Sequence, residues 1–154
     1  MEADEQTNNQ NQNKKEGTVK SSFFFFAGFF LLAIAVDQLS KLLPQRIFNN
    51  YDFAFSLPLP VWLMYLIYGS VLAAMAYYCK KHYPQFSFLI RFAWTLIFAG
   101  AASNIGERIL LGYVRDFIYL SLFGWTGVYN LADFYIIISI LLLTLKVDNL
   151  KPKA

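Results

Sequence analysis

Two acids stand where an acid is costly. Asp133 lies in an apolar run, Val128 to Leu145, with nothing basic within a helical turn of it. Asp116 lies seventeen residues earlier, in the segment before that run, preceded by Gly112 and Arg115. An ionisable group in hydrocarbon is expensive unless paired or hydrated, so it defaults to a functional candidate. Two carboxylates facing each other in a poorly solvated site cannot both ionise comfortably, and they share one proton. One then acts as base toward a water, while the other donates a proton to a substrate carbonyl or leaving group. That is the machinery of amide hydrolysis by an acid pair. A nucleophilic Ser-His pair does not compete with it, because the single histidine, His82, falls beside Lys80 and Lys81 in a basic loop.

Further polar residues fall at the same depth. Asp37 and Lys41 are one turn apart on one helical face, as are Asn104 and Arg108. Glu107 adjoins Arg108, and Asn130 precedes Asp133 by three. At 1.5 Å per residue, Asp37 sits roughly 21 Å along its run and Asp133 about 8 Å inside the start of the last one. Each also has a plain structural reading. Asp37 and Lys41 read as an ion pair, Asn104 and Arg108 as a tie at a helix end, Arg91 as a snorkelling anchor and Asp52 as a turn residue.

The elements that must position these groups are apolar. Of 154 residues 57% are hydrophobic and only 15% charged, against about 25% charged in an ordinary soluble domain. The apolar runs are Phe23 to Leu43, Leu59 to Cys79, about Phe88 to Gly106, and Val128 to Leu145. Each approaches the roughly 20 residues needed to span about 30 Å of hydrocarbon. The expectation is an all-α polytopic membrane protein with four transmembrane helices. Residues 1–22 are polar and Asn/Gln-rich and read as a disordered tail. A single four-helix transmembrane domain occupies 23–147, and 148–154 form a second tail. With a cytoplasmic N-terminus, inner segments hold nine basic residues and outer loops only Arg46, Arg108 and Arg115, so both termini are expected in the cytoplasm. A cleavable secretory signal ending near Ala33-Ile34-Ala35 is the rival reading; it leaves three spans and breaks the charge rule. One cysteine, Cys79, and one histidine leave no disulfide, thiolate cluster or His-rich metal site. No phosphate loop, nucleophile elbow or nucleic-acid module is present.

Four blocks, in order, resemble those of the lipoprotein signal peptidases, or signal peptidase II. Asp37-Gln38-Leu39-Ser40-Lys41 is similar to D-Q-x-[ST]-K. Asn50-Tyr51-Asp52-Phe53-Ala54-Phe55-Ser56 is similar to N-x-G-x-A-F-S. Asn104-Ile105-Gly106-Glu107-Arg108, then Gly112 and Val114-Arg115-Asp116-Phe117, is similar to G-N-x-x-D-R…G-x-V-x-D-F, and Asn130-Leu131-Ala132-Asp133 to N-x-A-D. The resemblance covers about residues 23–147. It implies a cofactor-free intramembrane aspartic endopeptidase of the bacterial cytoplasmic membrane. Such an enzyme cuts signal peptides from diacylglyceryl-modified prolipoproteins just before the lipidated cysteine, near the outer leaflet. By resemblance, Asp116 and Asp133 match the catalytic aspartates. Asp37, Lys41, Asn50, Asn104, Glu107, Arg108 and Asn130 match site-supporting positions, and Ala54 and Phe55 an outer segment packed near the site. The family fold adds a small β-structured outer platform, here from 44–58 and 109–127.

Three residues depart from the pattern: Glu107 replaces Asp, Asp52 replaces Gly, and Ser103 replaces the Gly before Asn104. They are the only support for a catalytically silent paralogue that binds lipoprotein precursors or lipid. A small channel or transporter subunit is a third reading, disfavoured because the acids share one depth. The expected partners are a lipid-modified prolipoprotein and membrane lipid, with no nucleic acid and no metal, and a monomer is the simplest assembly.

Overall fold

In apolar surroundings each backbone N–H and C=O must be satisfied within its own segment, so the apolar runs form helices. The computed structural model describes residues 22–43, 46–52, 57–122 and 125–148. Its helices are α1 (Ser22–Ser40), α2 (Val61–His82), α3 (Phe88–Leu111) and α4 (Leu131–Asp148). By length and composition α1, α2 with its trailing 3₁₀ turn Tyr83–Gln85, and α3 can each cross a membrane. The apolar stretch of α4, Leu131–Leu145, is shorter.

Contacts between α1 and α3 keep step along their length: Phe26 against Phe88, Phe29 against Phe92, Gln38 against Ser103, Lys41 against Glu107. The two helices therefore run parallel, and α4 packs on α3. Small residues make that contact close. A Cβ built on Gly100 would lie 2.5 Å from the Ala132 carbonyl oxygen, so only glycine allows the two backbones to approach this far. Ala33, Leu96 and Ala99 form the apolar centre, with Phe29, Phe92 and Tyr135 around them. From α2 only Met64 is buried.

Two antiparallel strand pairs sit at one end of the bundle. β1 (Phe48–Asn50) pairs with β2 (Val114–Asp116), placing Asn50 opposite Val114 and Phe48 opposite Asp116. β3 (Ile118–Leu122) and β4 (Trp125–Tyr129) form a hairpin. The loops expected to build a β platform thus supply strands. The helix boundaries differ from the hydropathy runs for physical reasons. Val128 belongs to β4, so α4 starts at Leu131 rather than 128. Past Gly106, α3 continues to Leu111, where Gly112 at φ 83° caps it and its N–H bonds the Arg108 carbonyl at 3.0 Å. Of the expected tails 1–22 and 148–154, Ser22 opens α1 and Asp148 closes α4, while residues 1–21 and 149–154 lie outside the described residues, as do Ala54 and Phe55.

Polarity runs inside out. Among the described residues, the largest side chains exposed by less than 2% are Lys41, Val114, Asn130, Asp37, Asp116 and Ser139. Phe24, Leu31, Leu42 and Leu66 are all exposed. A chain that hides charges and presents apolar side chains outward is built for a lipid surround.

Candidate active site

Strand alternation turns Val114 and Asp116 inward while Arg115 stays partly exposed. Both Asp116 oxygens accept amide protons. Asn50 Nδ2, from the neighbouring strand, donates to Oδ2 at 2.9 Å, and Asn130 Nδ2 donates to Oδ1 at 2.6 Å. Burial pushes the Asp116 carboxyl up to about 6, against the opposing pull of those two amides.

The second acid is placed by a helix start. Asn130 immediately precedes α4, and Asp133 is its third helical residue. The Asn130 N–H donates to Asp133 Oδ2 at 3.0 Å, and the Asp133 N–H donates to Asn130 Oδ1 at 3.1 Å. This reciprocal pair is a capping box built from Asn and Asp. Asn104 Nδ2, from α3, donates to Asp133 Oδ1 at 2.9 Å. Asn130 therefore holds both acids, one through its side-chain amide and one through its backbone. The hairpin explains how. Phe117 N–H bonds the Tyr129 carbonyl at 2.9 Å at the base of the β3–β4 ladder, so the residue before Phe117 and the residue after Tyr129 meet. Those residues are Asp116 and Asn130.

Behind the acids lies a closed ring of buried and half-buried polar groups. Lys41 Nζ meets Asp37 Oδ2 at 2.7 Å, Glu107 Oε2 at 2.9 Å and Asn104 Oδ1 at 3.4 Å. Glu107 Oε1 accepts from Arg115 Nε at 2.6 Å. Arg115 Nη2 donates to Gln38 Oε1 at 3.0 Å, and Gln38 Nε2 donates to the Ser103 hydroxyl at 2.8 Å. The Ser103 hydroxyl donates to Asp37 Oδ2 at 2.6 Å, closing the ring. Two anions face two cations, so the buried charge is balanced and every ring member has a partner. The remaining Asp37 oxygen, Oδ1, accepts from the Ala132 N–H of α4 at 2.9 Å. A buried carboxylate at a helix start also suits the helix dipole.

Two expectations from sequence are redirected. Asn104 does not tie to Arg108; it bonds Asp133 and Lys41. Arg108 Nη2 instead donates to the Asp52 carbonyl at 2.9 Å, and its guanidinium lies 5.7 Å from the Tyr68 ring. The extra methylene of Glu107 carries its carboxylate between Lys41 and the β2 backbone, where the Arg115 N–H also donates to it at 3.1 Å. Ser103, a departure from the family pattern, supplies the hydroxyl that links Gln38 to Asp37. Gln38, Ser103 and Arg115 were not singled out as site residues. For Gln38 a signal existed, since it lies inside the Asp37–Lys41 block. For Ser103 and Arg115 the partners come from other elements.

Residues 29–148 match the sequence profile of the family described as signal peptidase (SPase) II. A lipoprotein signal peptidase of Streptococcus agalactiae serotype Ia is 33% identical, covering 73% of this chain and 84% of the relative. That of Caldicellulosiruptor bescii is 33% identical, covering 75% and 73%. That of Chlamydia trachomatis serovar L2 is 37% identical over a shorter stretch, 58% of this chain and 51% of the relative. Two solved structures of a bacterial membrane enzyme, obtained by the in meso method at 2.3 and 1.9 Å, share the fold with TM-scores of 0.67 and 0.66. They are 23% and 24% identical to this chain, and each covers 84% of it and 93% or 94% of itself. With a profile match spanning most of its length and curated relatives above 30% identity, the chain belongs to the signal peptidase II family and is a membrane protease.

Proposed function

We propose that the chain is an aspartic endopeptidase that removes signal peptides from diacylglyceryl-modified bacterial prolipoproteins, cutting just before the lipidated cysteine. All four helices cross the cytoplasmic membrane in this reading, both termini face the cytoplasm, and the strands lie at the outer leaflet. The observation that carries the reading is Asn130, whose side-chain amide and backbone N–H hold Asp116 and Asp133 at one place.

The Asp116/Asp133 pair carries one shared proton. The ionised member takes a proton from water as the water oxygen bonds to the scissile carbonyl carbon, and the protonated member donates to the carbonyl oxygen. As the tetrahedral carbon collapses, its C–N bond breaks, the amine of the lipidated cysteine leaves with a proton from the pair, and one hydroxyl on that carbon returns its proton to the pair as the C=O re-forms. The water's two hydrogens are accounted for by the new carboxyl group and the amine. Asn50, Asn104 and Asn130 orient the acids, and the Asp37–Lys41–Glu107 cluster fixes the helices that carry them.

The test is processing of a purified lipid-modified prolipoprotein, read as a gel-mobility shift. Asp116→Asn and Asp133→Asn each lower the rate by about 10⁴-fold, the scale seen when an essential charged partner is neutralised without changing shape. An unmutated, folded protein that leaves this substrate intact overturns the proposal in favour of a silent binding protein.

A further inference from the structure

At the end of the bundle opposite the aspartates, a cavity of about 190 Å³ opens between α1, α2 and α3. Its wall is almost wholly apolar and aromatic, with Phe26, Phe30, Phe86, Trp94 and Phe98 contributing. Of its polar lining residues the Thr95 hydroxyl is satisfied by the Arg91 carbonyl, whereas Arg91 and Tyr83 each carry a buried atom with no hydrogen-bond partner among the described residues: Arg91 Nε and Tyr83 Oη. The Arg91 guanidinium is held in place. Its Nη1 donates to the Ser22 hydroxyl at 2.9 Å, and its carbon lies 4.6 Å above the Tyr83 ring. A free snorkelling arginine would extend to water; this one is folded over a tyrosine at the mouth of an aromatic cavity. Buried donors without acceptors are rare and call for one.

We infer that this cavity binds an anionic phospholipid of the leaflet opposite the active site, with the phosphate on Arg91 Nε and Tyr83 Oη and a stretch of acyl chain among the aromatic rings. An arginine fork matches phosphate oxygens, and the tyrosine hydroxyl is a second donor in the same lining. The neighbouring last turn of α2 adds Lys80, Lys81 and His82, so the local charge favours an anion and disfavours the basic start of a signal peptide. Apolar cavities of roughly 150 Å³ already hold a benzene-sized guest, so the space suits a segment of acyl chain. The inference is independent of the proposed chemistry, since none of these residues belongs to the aspartate site.

Trp94 lies in the cavity wall and is the reporter. With Trp62 and Trp125 replaced by Phe, the full chain is reconstituted in phosphatidylcholine vesicles, and brominated phosphatidylglycerol or brominated phosphatidylcholine is titrated in. Trp94 fluorescence is expected to be quenched at several-fold lower mole fraction by the phosphatidylglycerol. Arg91→Gln abolishes that preference and Arg91→Lys keeps most of it. Equal quenching by the two lipids, or a preference that survives Arg91→Gln, overturns the inference. Relief of quenching by excess inorganic phosphate also overturns it, in favour of a free-phosphate site. The comparison of lipids on the Arg91 protein decides even if a variant fails to fold.

Discussion

One amide side chain organises the chemistry at the scale of the single residue. Asn130 Nδ2 reaches Asp116 while the Asn130 backbone caps the helix turn that carries Asp133. Asn130→Ala removes the Nδ2 bond to Asp116 and the Oδ1 cap on the Asp133 N–H while leaving the backbone N–H bond to Asp133, and loss of the cap alone costs about 1 kcal/mol of stability. The expected outcome is at least a 100-fold fall in the processing rate with a lowered melting temperature in detergent. Asp116 makes the pH dependence definite. Its folded value, raised from 3.8 to about 6 by burial, means the folded protein keeps a proton that the unfolded chain loses between those values. Stability conferred by that proton is present below pH 4 and is lost as pH rises through 6. In the proposed mechanism the same titration removes the proton that the acid pair shares, so kcat/KM is expected to fall as pH rises past the midpoint of the pair. Asn50→Leu deletes a donor that favours the ionised form and moves the midpoint upward in a pH–rate profile.

Among the elements, the close contact of α3 with α4 sets where the acids stand. Gly100→Ala puts a methyl into the Ala132 carbonyl oxygen, one residue before Asp133. The backbone cannot yield as a flexible side chain would, so the start of α4 shifts away from Asn104. The expected result is a processing rate reduced more than 10-fold, with the helical circular dichroism spectrum retained. Helices were legible in the sequence because hydropathy follows apolar runs directly, but the end of α3 at Gly112 was not, since the apolar run stops at about Gly106 and the helix continues to Leu111. The strands were less so. The pairing of β1 with β2 joins segments from two different loops, and three-residue strands carry no periodicity to read. Asp116, Asp133, Asn130 and the Asp37–Lys41 pair stood out as polar residues in or beside apolar runs. Ser103 and Arg115 did not, because their meaning lies in partners on α1 and α3. Ser103 looks like a lost glycine until Gln38 and Asp37 are placed beside it.

Over the whole molecule, the apolar exterior and charged interior tie stability to charge balance rather than to an oily core. Lys41→Met leaves Asp37 and Glu107 buried without their shared cation. Breaking a buried ion pair from one side costs about 3–5 kcal/mol, enough to consume most of a modest stability. The expected outcome is loss of the folded protein in a thermal-stability assay in detergent, whereas Lys41→Arg retains part of it. Asp37 also accepts the Ala132 N–H, 95 residues further along the chain. Helix α4 follows α1, α2 and α3 in the sequence, so until it is made Asp37 lacks this partner and Asn104 has no Asp133 to orient. In the proposed mechanism, a fragment that stops short of α4 is therefore unarmed: the scissors close only once that blade is in place.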